Sequence, residues 1–153
     1  MSYTIEPMDI SQLDAYAALY AAVFRAEPWH EPWTQQQAAK RIAGMMQTPV
    51  FFGRAICRGN TLLGFLYGQL EQSFDGVHFQ IQEFCILPAE QGSGCGTALL
   101  QAVCDALKAE DAVNLYLITS KGERTAGYYR RRGFAQSETF CVMQYPLNDA
   151  QGS

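Results

Sequence analysis

In this 153-residue chain, the segment whose spacing most directly implies chemistry is Gln91-Gly92-Ser93-Gly94-Cys95-Gly96-Thr97. It lies between an apolar run ending at Pro88 and a helix-like run that begins near Ala98. The first turn of a helix has N–H groups without intrahelical partners and a partial positive charge, and glycine removes the Cβ that would hold an anion away. A phosphate is the anion best matched to such a turn. The same glycines also suit a plain strand-to-helix turn that needs them for its own backbone. The nucleotide versions of the motif do not fit. A P-loop requires lysine after its last glycine, and a dinucleotide fingerprint requires glycine three residues past Gly94; Thr97 occupies both positions.

A second cluster is Glu27-Pro-Trp29-His-Glu31-Pro-Trp33, too rich in proline for a helix and unusually aromatic for a surface loop. Trp29 and Trp33 suit a staple onto the core, or, with Glu27 and Glu31, a lid over a cationic amine. The formal net charge of −4 argues against affinity for nucleic acid or an anionic membrane, so a cationic small molecule is the better-matched partner. His30 and His78 are far apart in sequence, and the five cysteines (Cys57, Cys85, Cys95, Cys104, Cys141) form no C-x-x-C pair. No metal site is expected. The cysteines read as reduced core thiols, and the N-terminus has no basic start followed by a long apolar run, so a cytoplasmic protein is expected. Arginines 130, 131 and 132 fall at the end of a short helical pattern, where the dipole favours cations.

These residues require elements to hold them. With 48% hydrophobic and 17% charged residues the chain can bury one substantial core, and residues 1–153 read as a single domain. A short strand is expected near residues 2–6. Asp9 with Gln12 resembles a capping box ahead of Leu13, Tyr16, Ala17, Tyr20, Val23 and Phe24, which recur at helical spacing. Thr34 with Gln37 repeats the signature ahead of Ala38, Ile42, Met45 and Met46. Strands follow at 50–58 and 61–70 around Gly59-Asn60, and at 77–87 after Asp75-Gly76. In the last of these, Val77, Phe79, Ile81 and Glu83 alternate with His78, Gln80 and Gln82, after which Phe84 and Ile86 take the formerly polar face. That switch predicts a bulge near Glu83. A helix over 98–107, a strand over 113–119, a short helix over 123–132 and terminal strand material at Phe134 and 139–145 complete an α/β domain with a mixed sheet.

The glycine segment, read as Gln91-x-x-Gly94-x-Gly96 after Glu-Phe-Cys-Ile-Leu-Pro, resembles the acetyl-coenzyme A signature of the GNAT superfamily of N-acetyltransferases. Ala126-x-x-Tyr129-x-x-x-Gly133-Phe134 is similar to the second signature of that family and follows in the expected order. Pro28-Trp-His-Glu-Pro-Trp-Thr34 and Leu117-Ile-Thr-Ser-Lys-Gly122 look like the small-molecule branch related to aminoglycoside acetyltransferases. The resemblance implies a mostly antiparallel sheet of six to seven strands with about four helices, splayed between the fourth and fifth strands. Acceptor-side helices would lie at about 9–47 and the cofactor-binding core at about 50–145. It also implies that backbone groups of Cys85, Ile86 and Leu87 meet the pantetheine arm of acetyl-coenzyme A and that residues 91–97 hold its pyrophosphate. Many relatives carry asparagine three residues before the alanine of the second signature. Glu123 stands there, so that contact is expected from Ser120 or Arg124 instead.

Acetyl transfer to an amine needs a base, because an alkylamine with a pKa near ~10.4 is mostly protonated at neutral pH, and a donor for the departing thiolate. The resemblance implies Tyr129 as the donor, with its neighbour Tyr128 in packing. It implies Glu83 as the base, with Glu31, Glu71 and Asp75 as rivals. The expected activity is transfer of acetyl to a primary amine of a small molecule by direct attack in a ternary complex, with Trp29, Glu31 and Trp33 on the acceptor side. Acetylation of a protein lysine or N-terminus, or a non-catalytic acyl-coenzyme A sensor, are the alternative readings. The apolar C-terminal segment could pair across a homodimer.

Overall fold

The computed structural model describes residues 2–148, which divide after Leu117 into two compact units. In the first unit, β1 (Thr4–Pro7), β2 (Phe51–Arg58), β3 (Thr61–Ser73), β4 (Gly76–Ile86) and β5 (Ala112–Leu117) form one sheet in that order. The first four strands are antiparallel and β5 runs parallel to β4. Tight turns suffice for β2–β3 and β3–β4, whereas a parallel neighbour needs a crossover, here helix α3 (Cys95–Ala109).

Helices α1 (Leu13–Arg25) and α2 (Gln35–Met46) form one layer on the sheet. Asp9 caps a single 3₁₀ turn, Ile10–Gln12, by accepting the Ser11 N–H, and α1 continues from that turn. Thr34 and Gln37 form the reciprocal capping box expected at the start of α2. Tyr16, Ala17, Leu19, Tyr20 and Val23 of α1 and Ala38 and Ile42 of α2 share a core cluster with Ala55, Phe65, Tyr67 and Cys85 of the sheet. Burying one such leucine or isoleucine contributes about 1.5–3 kcal/mol. The buried α3 residues Cys95, Leu99, Val103 and Leu107 lie outside that cluster, and α3 runs along β2, β3, β4 and β5.

Two features of β4 set up the site. Tyr67 pairs with Glu83 while Gly68 pairs with Ile81, so Gln82 is an extra residue, a bulge. Cross-strand partners share a face. Glu83 and Cys85 therefore lie on the face of Tyr67 and Phe65, under α1 and α2. Alternation along the sequence had grouped Glu83 with Ile81, and the bulge reverses that assignment. The second feature is that β4–β5 pairing runs from Val77 with Ala112 to Ile81 with Leu117 and stops there. Within this unit, β4 beyond the bulge has no ladder partner on its β5 side.

Gly68 is needed beside the bulge for a steric reason. A Cβ there would overlap the Gln80 carbonyl oxygen and come within 2.9 Å of the Phe79 ring, so backbone would have to move. Gly68→Ala should lower stability by about 1–3 kcal/mol, the usual effect of overpacking, read as a lower urea midpoint at unchanged m-value. An unchanged midpoint would mean that the β3–β4 register is looser than described.

The second unit begins at Ile118. Its helix α4 (Ala126–Arg130) is short, and Gly133 ends the following turn at a φ of 96°. Among the described residues there are five strands, fewer than the six to seven expected, because Phe134 and residues 139–145 form none. Their alternation of apolar side chains favours a strand, but a strand also needs a ladder partner. Instead Ser137 Oγ accepts the N–H groups of Thr139 and Phe140 in a local turn, and Phe140, Met143 and Tyr145 are exposed. Cys141 is exposed as well, so it is not the core thiol expected. No helix among the described residues is long and apolar enough to cross a membrane.

Candidate active site

The glycine segment stands where the open edge of β4 ends. A 3₁₀ turn, Pro88–Glu90, follows Leu87, and Arg58 of β2 fixes it by donating from both terminal nitrogens to Glu90 at 2.8 and 3.2 Å. The Gln91 side chain turns back to donate to the Ile86 carbonyl at 3.1 Å. Gly92 and Gly94 take φ of 85° and 92°, the left-handed region that a side chain strains, while a Cβ at either would meet nothing within 4 Å. Backbone conformation, and not crowding, demands glycine at both. The Ser93 hydroxyl donates to the Glu90 carbonyl at 2.6 Å, and α3 starts at Cys95 with Gly94 as its cap. Cys95, Gly96 and Thr97 thus supply first-turn N–H groups without carbonyls four residues back in the helix. An anion would be held there. Cys85 is buried, and burial pushes its thiol well above the usual range, so its side chain belongs to the core and only its backbone is available to a ligand.

Glu83 is 9% exposed and sits at the centre of a polar cluster beneath the helices. The Tyr20 hydroxyl donates to its Oε2 at 2.9 Å, and Arg41 Nε donates to the same oxygen at 2.8 Å. Burial pushes the Glu83 carboxyl above the ordinary range. The hydrogen bond and charge of Arg41 and the hydrogen bond from Tyr20 pull it back, and the charge of Glu31 adds to the push. The Tyr67 hydroxyl, fully buried on the paired position of β3, has no hydrogen-bond partner among the described residues. Burial, then the negative charge of Glu83, raises its pKa. Such a buried carboxylate, ionised only with support, has the environment of a general base.

The acceptor-side residues join this cluster from the segment between α1 and α2. Trp33 packs edge-on against Tyr20 at 4.9 Å, lies 5.6 Å from the Arg41 guanidinium and donates from Nε1 to Glu31 Oε1 at 2.8 Å. Arg41, a cation of the chain itself, therefore already uses the tryptophan ring. Trp29 packs edge-on against Phe24 at 5.0 Å. Glu31, Pro32, Trp33 and Gln37 line an open groove. The rival bases have other partners. Glu71 accepts from Tyr116 at 2.6 Å and from Gln69 at 3.1 Å, and Asp75 pairs with His78 at 2.8 Å. Among the described residues, no group of three or more His, Cys, Asp or Glu side chains could hold a metal ion.

The second unit holds the remaining candidates. Tyr129 on α4 is half-buried between Tyr128 and Phe134, with ring centroids at 5.3 and 5.4 Å. The Ser120 hydroxyl donates to Thr125 Oγ1 at 2.8 Å, and Arg124 is exposed. Glu123, at the position where asparagine was expected, pairs with Arg131 at 3.4 Å on the surface. Tyr128 stacks under Arg132 at 3.5 Å, in keeping with a packing role.

Sequence reasoning missed Tyr20, Arg41 and Tyr67. Tyr20 read as a core position of α1, and Tyr67 and Arg41 carried no motif. The usable signal for Arg41 was a lone cation next to Ala38 and Ile42 on the apolar face of α2, which a buried carboxylate has to answer.

The Acetyltransferase (GNAT) family model matches residues 13–134. A possible acetyltransferase from Clostridium difficile 630 superposes with a TM-score of 0.80 at 13% identity, covering 97% of this chain and 99% of that one. An aminoglycoside acetyltransferase from an uncultured soil metagenomic sample gives a TM-score of 0.70 at 13% identity, covering 97% and 100%. An integron cassette protein from the mobile metagenome of V. cholerae gives 0.80 at 14% identity, covering 99% and 97%. Comparison with curated proteins gives no match. At these identities the superpositions speak to the fold alone, whereas the family model spans most of the sequence, including both the glycine segment and the Tyr129 signature. The chain belongs to the GNAT acetyltransferase family.

Proposed function

We propose that this acyltransferase moves the acetyl group of acetyl-coenzyme A onto a primary amine of a small molecule, by direct attack in a ternary complex. The observation that carries the reading is Glu83, a buried carboxylate on the strand whose open edge leads into the glycine segment. Acetyl-coenzyme A supplies the activated thioester when bound. The first-turn N–H groups of α3 and the left-handed Gly92 and Gly94 fit its pyrophosphate, and the unpaired β4 backbone beyond Gln82 fits a pantetheine amide chain. Glu83 takes the proton that frees the amine, and the Tyr129 hydroxyl serves the leaving thiolate. Two of the superposable structures are aminoglycoside acetyltransferases, which supports a polyamine or aminosugar acceptor. The test is thiol release from acetyl-coenzyme A across a panel of small amines, aminoglycosides and lysine peptides. Turnover of peptides alone would replace the small-molecule reading with protein acetylation.

Acetyl-coenzyme A should stabilise the protein. At about 100 times its Kd it adds about 2.7 kcal/mol, or roughly 5–10 °C in Tm for a chain of this size. Gly94→Glu strains a left-handed position and sets a carboxylate at the helix start, so its Tm should not respond to the ligand. An equal shift in both proteins would move the cofactor away from residues 91–97.

Trp33→Ala should raise KM for the acceptor by about 2- to 30-fold, the equivalent of ~0.5–2 kcal/mol, and leave KM for acetyl-coenzyme A unchanged. Glu31→Gln should act in the same direction for a cationic acceptor and more weakly at high salt. Loss of stability with unchanged acceptor KM would make the segment a core staple.

A further inference from the structure

The two oxygens of Glu83 are not equivalent. Oε2 accepts from both Tyr20 and Arg41, whereas Oε1 has no hydrogen-bond partner among the described residues. The donors come from α1 and α2, 63 and 42 residues away from β4 in sequence, so the arrangement exists only in the folded sheet-and-helix layer. Two donors on one oxygen fix the carboxylate plane and aim the other oxygen.

We propose that Arg41 and Tyr20 are positioning residues that anchor Glu83 Oε2 and leave Oε1 as the atom that takes the proton from the acceptor amine. The inference rests on the acetyltransferase reading above. In the step, an N–H bond of the acceptor ammonium breaks, its electron pair stays on nitrogen as the nucleophile, and the proton bonds to Oε1, directly or through one water. Glu83 becomes a neutral carboxylic acid, and Arg41 keeps its charge because a guanidinium does not lose its proton in a protein.

The groups facing Glu83 are Tyr20 of α1, Arg41 of α2, Tyr67 of β3, Cys85 of β4 and Glu31 of the intervening segment. Among them Arg41 alone is cationic. Burial and Glu31 favour the neutral acid; Arg41 and the Tyr20 hydrogen bond favour the carboxylate. The working base is the anion, so loss of Arg41 moves the acid limb of the rate profile to higher pH. The rate falls near neutrality and returns above the shifted limb. Lysine at position 41 keeps the charge but not the Nε geometry, and should restore part of the shift.

The experiment follows the Glu83 side-chain carboxyl by ¹³C NMR titration, assigned by its absence in Glu83→Gln. It uses wild type, Arg41→Gln, Arg41→Lys and Tyr20→Phe without any acceptor, alongside the pH profile of kcat/KM for the acceptor. The Glu83 midpoint should rise by about 1–3 pH units in Arg41→Gln, the usual effect of removing a close opposite charge, and by less in the other two. The acid limb of kcat/KM should move with it, with a loss of about 3- to 10-fold at neutral pH. If Arg41→Gln does not fold, the two milder variants carry the test. An unmoved Glu83 midpoint in folded variants overturns the inference while leaving acetyl transfer standing. A midpoint that moves in an enzyme without turnover on any amine overturns the acetyl-transfer reading, and the proton-acceptor role with it.

Discussion

Glu83→Gln should lower kcat/KM for the acceptor by about 10²–10⁴-fold at neutral pH, the range for losing a general base, with partial recovery at high pH where free amine is abundant. Glutamine is nearly isosteric, and its amide oxygen can still accept from Tyr20 and Arg41 Nε, so the change removes proton acceptance and leaves the packing. Arg41 loses its counter-charge, but its side chain is 48% exposed and remains hydrated. Stability gives an independent readout. The folded Glu83 carboxyl lies above its ordinary value of 4.5, so the native state holds the proton more tightly than the unfolded chain does. Its contribution is fully present below the unfolded value and is lost as pH rises through the folded one. Glutamine has no such term. Over that window the variant should gain stability relative to wild type as pH rises, while its activity stays low. An unaltered pH–rate profile would assign the base elsewhere, and Glu31, the acidic neighbour in the same cluster, would be next to test.

The parts of this site that were legible in the sequence are those whose physics is local. Gly92 and Gly94 announce left-handed backbone and a helix start within a few residues, and Thr34 with Gln37 marks the start of α2 by two short-range bonds. The bulge left a trace, because the apolar face changes sides after Gln82. Its consequence for Glu83 did not follow, since which face a residue takes beyond a bulge depends on its partner across the ladder, Tyr67. The anchors of Glu83 were illegible for the same reason. Nothing near Tyr20 or Arg41 in sequence encodes a carboxylate that arrives from another element. The terminal strand was over-read: the alternation from Phe140 to Tyr145 expresses a preference for extended backbone, and a preference does not supply the neighbouring strand that a ladder needs.

Tyr129→Phe should lower kcat by about 10- to 10²-fold, the lower part of the range for losing a proton donor, while leaving KM for acetyl-coenzyme A and the melting temperature close to wild type. Tyr129 is held in the second unit by contacts that phenylalanine keeps. Its ring meets Tyr128 and Phe134 edge-on, and its carbonyl accepts the N–H groups of Arg132 and Phe134 at 3.0 and 3.1 Å. Only the hydroxyl is lost. A phenol with a pKa near ~10 is a slightly weaker acid than a thiol near ~8.5, so full proton transfer to the thiolate is uphill by roughly 1.5 pK units. The hydroxyl acts by donating a hydrogen bond as negative charge grows on sulfur, which places its effect on kcat and not on ground-state affinity. Tyr128→Phe is the control, because its ring lies against Arg132 and its loss of a hydroxyl should leave kcat unchanged. The prediction separates further with acyl donors whose thiols differ in acidity. A donor with a more acidic thiol needs less help in leaving, so the deficit of Tyr129→Phe should shrink as the leaving thiol becomes more acidic. A deficit independent of the thiol, or matched by Tyr128→Phe, would return Tyr129 to packing α4 against Phe134.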